Sequence, residues 1–159
     1  MQLSKINILL VEKDLNEVAR IQRMISEENE INIHGTLLEL FHTGALPGGL
    51  DKRTARQIDL ILLSMHLDEP QIDDALAQLT KAFPSIPVIV LNGYSSEGLA
   101  LRLLQIGAAD YLSKDRLDRH SLSHAIFLAI QRGQIQKQLA QSEMRYRRLA
   151  ENAQDLIYR

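Results

Sequence analysis

Short apolar runs alternate with amphipathic stretches of helix length along most of the chain. Ile6 to Val11 (INILLV) is a β-branched run of the kind that forms a strand buried on both faces. After it, Asp14 and Glu17 stand three residues apart as a capping box. Leu15, Val18, Ile21 and Ile25 then repeat at helical spacing as far as the polar run Glu27 to Glu30. A second strand is expected around Ile31 to Leu37. The stretch FHTGALPGGLDKRTAR beyond it marks a helix only weakly, because Pro47, Gly48 and Gly49 interrupt it.

The alternation then becomes regular. Strands are expected at Asp59 to Leu63, Pro87 to Leu91 and Ala109 to Leu112, and helices at Asp73 to Phe83 and Glu97 to Ile106. Strands joined by helix-length connections take right-handed crossovers. The pattern therefore predicts an α/β fold, a doubly wound five-stranded parallel sheet within residues 1–130. Ligands in such sheets sit outside the carboxyl ends of the strands. That rule singles out Glu12, Lys13 and Asp14 after the first strand, Ser64 after the third, Asn92 and Gly93 after the fourth, and Ser113 and Lys114 after the fifth.

From Ser121 onward the pattern is helical. Leu122, Ala125, Ile126, Ala129 and Ile130 form a core-facing stripe, and a second stripe of Ile135, Leu139, Ser142, Tyr146, Leu149 and Ala153 alternates steps of four and three like a short coiled-coil seam. A helix from Leu122 to Ala153 would extend about 45 Å, longer than one domain can cover, so a homodimer through this helix is expected. Gly133 lies where the stripes meet and is a candidate hinge.

Composition narrows the chemistry. The 159 residues are 45% hydrophobic and 24% charged with formal net charge -2, as in an ordinary globular protein without the basic excess of a nucleic-acid binder. There is no Cys, hence no disulfide framework or thiolate site, and the five His residues are read as lacking metal-ligand spacing such as HExxH. No apolar run approaches the ~20 residues of a membrane span, and the first five residues are too polar for a signal peptide. Cytoplasmic location, with no membrane contact, cofactor or metal, is the expectation.

The motifs ILLVEKD, DLILLSMHL, PVIVLNG and GAADYLSKD, in this order and spacing over residues 5 to 130, resemble the receiver domain of bacterial response regulators, a flavodoxin-like fold. The resemblance implies a crevice with an acidic pair after the first strand, a phosphate-accepting Asp after the third, Thr or Ser after the fourth and Lys after the fifth. The acids hold Mg²⁺ to neutralise the phosphoryl group. Here Glu12 keeps one acid, Lys13 replaces the other, Ser64 replaces the acceptor, Asn92 replaces the hydroxyl residue, Lys114 is retained, and Asp68 stands for the usual Pro. Formal charge at these positions moves from about -2 to about +1 by counting Glu12 against Lys13 and Lys114. The expectation is a degenerate receiver that is not an enzyme, with Glu12 paired to Lys114 in place of a metal site.

Alternatives at each position are structural or chemical. Ser64 as a nucleophile needs an adjacent base, and the matched neighbours are Lys and Asn; no Gly flanks it as in GxSxG. Glu12 and Asp14 could retain weak cation binding, although Asp14 is accounted for as a helix cap. Tyr111 resembles the aromatic switch of receivers and also reads as a half-exposed strand residue. Arg145, Arg147 and Arg148 read as a solvated helix face. Rival functions are a receiver phosphorylated at a non-standard residue such as Ser64, and a small-ligand-binding flavodoxin-like domain, although GxGxxG and P-loop motifs are missing.

The last segment, SEMRYRRLAENAQDLIYR, resembles the opening of PAS sensory domains. It implies a receiver-like domain at 1–130, a helical coiled-coil linker at 131–150, the beginning of a truncated PAS domain at 143–159, a downstream PAS or output domain, and a signalling protein as partner.

Overall fold

The structure, a computed structural model, describes residues 4–29, 36–44, 57–65, 69–93 and 97–157. Its elements are β1 (Ser4–Val11), α1 (Leu15–Asn29), β2 (Thr36–Thr43), β3 (Leu60–Met65), α2 (Glu69–Ala82), β4 (Val88–Asn92), α3 (Glu97–Ile106), β5 (Asp110–Ser113), a 3-10 turn (Lys114–Arg116) and α4 (Arg119–Ile157). The strands form one parallel sheet in the order β2-β1-β3-β4-β5. The chain winds outward in both directions from β1 and β3, so the reversal of strand order opens a crevice at their carboxyl ends.

Successive side chains of the central strands bury on opposite faces, which is why they read as unbroken apolar runs. Ile8, Leu10, Leu60, Leu62, Ile89 and Leu91 pack against Val18, Ile21 and Ile25 of α1 and Leu122, Ala125, Ile126 and Ala129 of α4. Leu9, Val11, Ile61, Leu63, Val88 and Val90 pack against Ile72, Ala75, Leu76 and Leu79 of α2 and Leu99 and Leu103 of α3.

Most boundaries fall within two residues of the sequence reading, and the starts of β2 and α2 differ by more. β2 begins at Thr36 and takes in Leu37 as its second residue, so residues 30–35, where most of the expected strand fell, lie outside the described residues. Its register runs from Ser4↔Thr36 to Val11↔Thr43 along all of β1. As an edge strand it buries Leu38 while Leu37 and Phe41 stay partly exposed, so its apolar signal is diluted. The interrupted helix stretch lies, from residue 45 to 56, outside the described residues, and Phe41, His42 and Thr43 at its start belong to β2. α2 begins at Glu69 rather than Asp73. Pro70 falls in its first turn, where a missing N–H costs no helical bond.

α4 starts two residues before Ser121. Asp118 caps it reciprocally: the Ser121 N–H donates to Asp118 Oδ1 at 2.7 Å, and the Asp118 N–H donates to Ser121 Oγ at 3.2 Å. The helix is 39 residues long and unbroken through Gly133, where a Cβ would meet nothing within 4 Å. Its length is about 58 Å. Leu122, Ala125, Ile126 and Ala129 are buried, whereas Ile135, Leu139, Tyr146 and Leu149 are exposed, from 60% at Leu139 to 75% at Tyr146. At ~100° per residue this second stripe lies roughly 140° around the helix from the first. Accordingly the groove between α4 and its own domain is lined by Gly133, Gln136, Lys137 and Ala140, and none of the second stripe faces it.

Candidate functional site

The strand ends bring Glu12, Ser64, Asn92 and Lys114 together, buried to 3%, 2%, 4% and 4% exposure. Ser64 is the penultimate residue of β3, paired with Leu91, and Asn92 is the last of β4, paired with Met65. Lys114 follows β5, whose Ser113 pairs with Asn92.

Glu12 is the centre of this cluster. Its Oε2 accepts hydrogen bonds from both Ser64 Oγ and Lys114 Nζ, the latter at 3.0 Å, and its Oε1 accepts the Asp14 N–H at 3.1 Å. The backbone is held too: the Glu12 N–H donates to the Thr43 carbonyl at 3.0 Å, and His42 Nε2 donates to the Glu12 carbonyl at 2.9 Å. Burial pushes the Glu12 carboxyl up, but the hydrogen bonds from Ser64, the Asp14 N–H and Lys114 outweigh it and hold the group below its ordinary 4.5. Glu12 is therefore ionised at neutral pH. Its attraction to Lys114 at 3.0 Å is roughly 5 kcal/mol at an effective dielectric of 20, comparable to the cost of desolvating two ions. The pair thus fixes geometry more than it adds net stability.

Three sequence expectations change. Lys13 is exposed and stands outside the buried cluster, so the buried charge is that of Glu12 and Lys114 alone, zero rather than +1. Ser64 does have a carboxylate neighbour, Glu12, although a carboxylate held below its usual range is a poor base for a hydroxyl. Asp14 caps α1 through Oδ1 and the Asn16 N–H at 2.9 Å, but Glu17 does not close the box. Glu12 already occupies the Asp14 N–H, and the Glu17 carboxylate lies 3.5 Å from Arg20.

The remaining predicted residues are placed as follows. Asn92 Oδ1 accepts the Gly93 N–H at 2.8 Å. Tyr111 is half-buried on β5 and lines a shallow groove of ~280 Å³ with Glu97, Ala100 and Arg116. Arg145, Arg147 and Arg148 are exposed on α4, and Asp68 lies outside the described residues. One contributor went unforeseen: Arg20 on α1 donates to the Lys114 carbonyl at 2.9 Å. The residues are 94 positions apart and no motif links them.

The donor set does not match Mg²⁺, which requires near-octahedral oxygen ligands. Glu12 is the one buried carboxylate here and its Oε2 already accepts two donors, while Asp14 is committed to its cap. No group of three or more His, Asp or Glu side chains suited to a metal occurs among the described residues. No helix among them is long and apolar enough to cross a membrane.

No protein-family model matches the chain. It is similar to the KDP operon transcriptional regulatory protein KdpE of Escherichia coli, 32% identical over 108 residues that cover 68% of this chain and 44% of that one. It is also similar to the transcriptional regulatory protein ZraR of Klebsiella oxytoca, 28% identical over 110 residues covering 69% of this chain and 23% of that one. The chain thus spans less than half the length of these relatives. A solved response regulator receiver domain protein from Clostridium thermocellum superposes with a TM-score of 0.65 at 24% identity, covering 82% of this chain and 98% of that one. Fold and sequence comparisons agree on the architecture: the chain has the flavodoxin-like receiver fold, a five-stranded parallel sheet with a long last helix, and is similar in sequence to response regulators.

Proposed function

We propose that this receiver is a signalling module of two-component type that takes up no phosphoryl group and acts through protein contacts and dimerisation of α4. The observation that carries the reading is the sharing of Glu12 Oε2 by Ser64 and Lys114. A phosphorylating crevice needs free acids for a cation, an acceptor carboxylate and a lysine available to the phosphoryl oxygens. Here the lysine and the hydroxyl at the acceptor position are both spent on the one buried acid. Ser64 as an alternative acceptor is disfavoured by its 2% exposure and by the ionised, weakly basic Glu12 beside it.

Output then runs through α4. The seam of Ile135, Leu139, Tyr146 and Leu149 faces away from its own domain, and a second copy of the helix would cover it. In this reading residues 1–130 are the receiver, 131–150 a coiled-coil linker, and 143–159 the entry to a PAS domain in a longer sensor protein, with the receiver acting as an interaction platform.

Calorimetric titration with Mg²⁺ at neutral pH tests the crevice: no saturable binding is expected, and tight binding contradicts the reading. The double substitution Lys13→Asp with Ser64→Asp is expected to restore Mg²⁺ affinity, because it returns two carboxylates to the strand ends.

A further inference from the structure

His120 and His124 stand four residues apart at the start of α4, one turn from each other on the same face. This is the i, i+4 ligand spacing of the two histidines of HExxH, without the intervening Glu, and it corrects the expectation that the five histidines lack metal-ligand spacing. Both side chains are exposed. Their rings are nearly parallel, with an interplanar angle of 12° and centroids 6.5 Å apart.

From this geometry we infer that His120 and His124 form a two-imidazole chelate for a borderline transition-metal cation, Cu²⁺ or Zn²⁺, on the root of the long helix. Two imidazoles on one metal at about 2.0–2.1 Å bring their ligating nitrogens to roughly 3–3.5 Å in tetrahedral geometry. Rotation of two solvent-exposed rings achieves that without disturbing the core. The unbroken helical backbone holds the spacing, so the ordering cost of bringing two distant ligands together is absent.

Neighbouring charges act in both directions. The positive end of the helix and the adjacent Arg119 oppose a cation, whereas Asp118, which caps the helix and interacts electrostatically with His120, favours it. The other coordination positions face solvent and remain open to water or to a group from another molecule. A cation there links the first two turns of α4 and, because the unfolded chain lacks the spacing, stabilises the root of the helix by mass action. The site lies on the face of α4 turned away from the sheet core, which packs on Leu122, Ala125 and Ile126. It shares no residue with the crevice, so its success or failure leaves the crevice reading untouched.

The test is titration of the tag-free chain with Cu²⁺, Zn²⁺ and Mg²⁺ by calorimetry, with electron paramagnetic resonance on the Cu²⁺ form. One Cu²⁺ or Zn²⁺ per chain is expected, Cu²⁺ the tighter, with coupling to two ligand nitrogens. His120→Gln and His124→Gln should each weaken binding by at least the roughly tenfold seen when a metal ligand loses its supporting partner. Helical circular dichroism of both variants should match the parent. Absence of Cu²⁺ and Zn²⁺ binding, or undiminished affinity in either variant, overturns the inference.

Discussion

Arg20 on α1 donates to the main-chain carbonyl of Lys114 at 2.9 Å, while the ammonium of the same lysine donates to Glu12 at 3.0 Å. Lys114 is thereby held at both ends, by the helix after β1 and by the acid at the end of β1. It opens the 3-10 turn that precedes α4, so one residue ties the crevice to the segment leading into the long helix.

Removing the outer tie should loosen that residue without emptying the crevice. Arg20→Met is expected to cost about 1.5–3 kcal/mol, the range for a hydrogen bond with a charged donor. The thermal midpoint should fall by several degrees, as about 2–4 °C per kcal/mol applies to chains of 150–250 residues. A thermal melt followed by circular dichroism checks it.

Breaking the inner tie should be harsher. Lys114→Met leaves Glu12 buried and ionised without its cation, and a loss of about 3–5 kcal/mol is expected in urea unfolding. Lys114→Met combined with Glu12→Gln should recover part of that loss, because no uncompensated charge remains. A double substitution as unstable as the lysine change alone would show that the pair contributes packing rather than charge.

The lowered carboxyl of Glu12 sets the sign of an acid dependence. A carboxylate held below its unfolded value contributes stability that is present above about 4.5 and is lost as pH falls through the folded value. The thermal midpoint of the parent should therefore drop on acidification below pH 4.5, and Glu12→Gln should show a shallower drop over the same window.

The seam makes a separate prediction. Leu139→Asp with Leu149→Asp places charge at two exposed apolar positions of α4 that do not line the groove against their own domain. With α4 pairing as proposed, sedimentation equilibrium should give a dimer for the parent and a monomer for this variant, while the melting of the sheet domain stays unchanged within about 0.5 kcal/mol, as for surface substitutions; a monomeric parent would contradict the pairing.

Legibility in the sequence followed burial. β1, β3 and β4 are apolar on both faces and could be read directly, and the α3 helix was bounded correctly at Glu97 and Ile106. β2 is an edge strand with one partly exposed face, and its LLELFHT carries as much helical as strand preference, so the sequence marked only its first two residues, Thr36 and Leu37, while the rest of the expected strand lies outside the described residues. At the site, which positions converge follows from strand order alone, and the Glu12–Lys114 pair was foreseen. The direction of Lys13, the Ser64 hydrogen bond and the Arg20 tie depend on rotamers and on contacts between residues 52 and 94 positions apart, which periodicity does not encode.

The central claim is that Ser64 and Lys114, both bound to Glu12, leave no acceptor and no cation site. Intact-mass spectrometry of the chain after incubation with acetyl phosphate and Mg²⁺ measures it most directly. The account predicts a single unmodified mass under conditions that phosphorylate a receiver with the full acidic set. A chain carrying an added phosphoryl group, at Ser64 or at any other crevice residue, would contradict it.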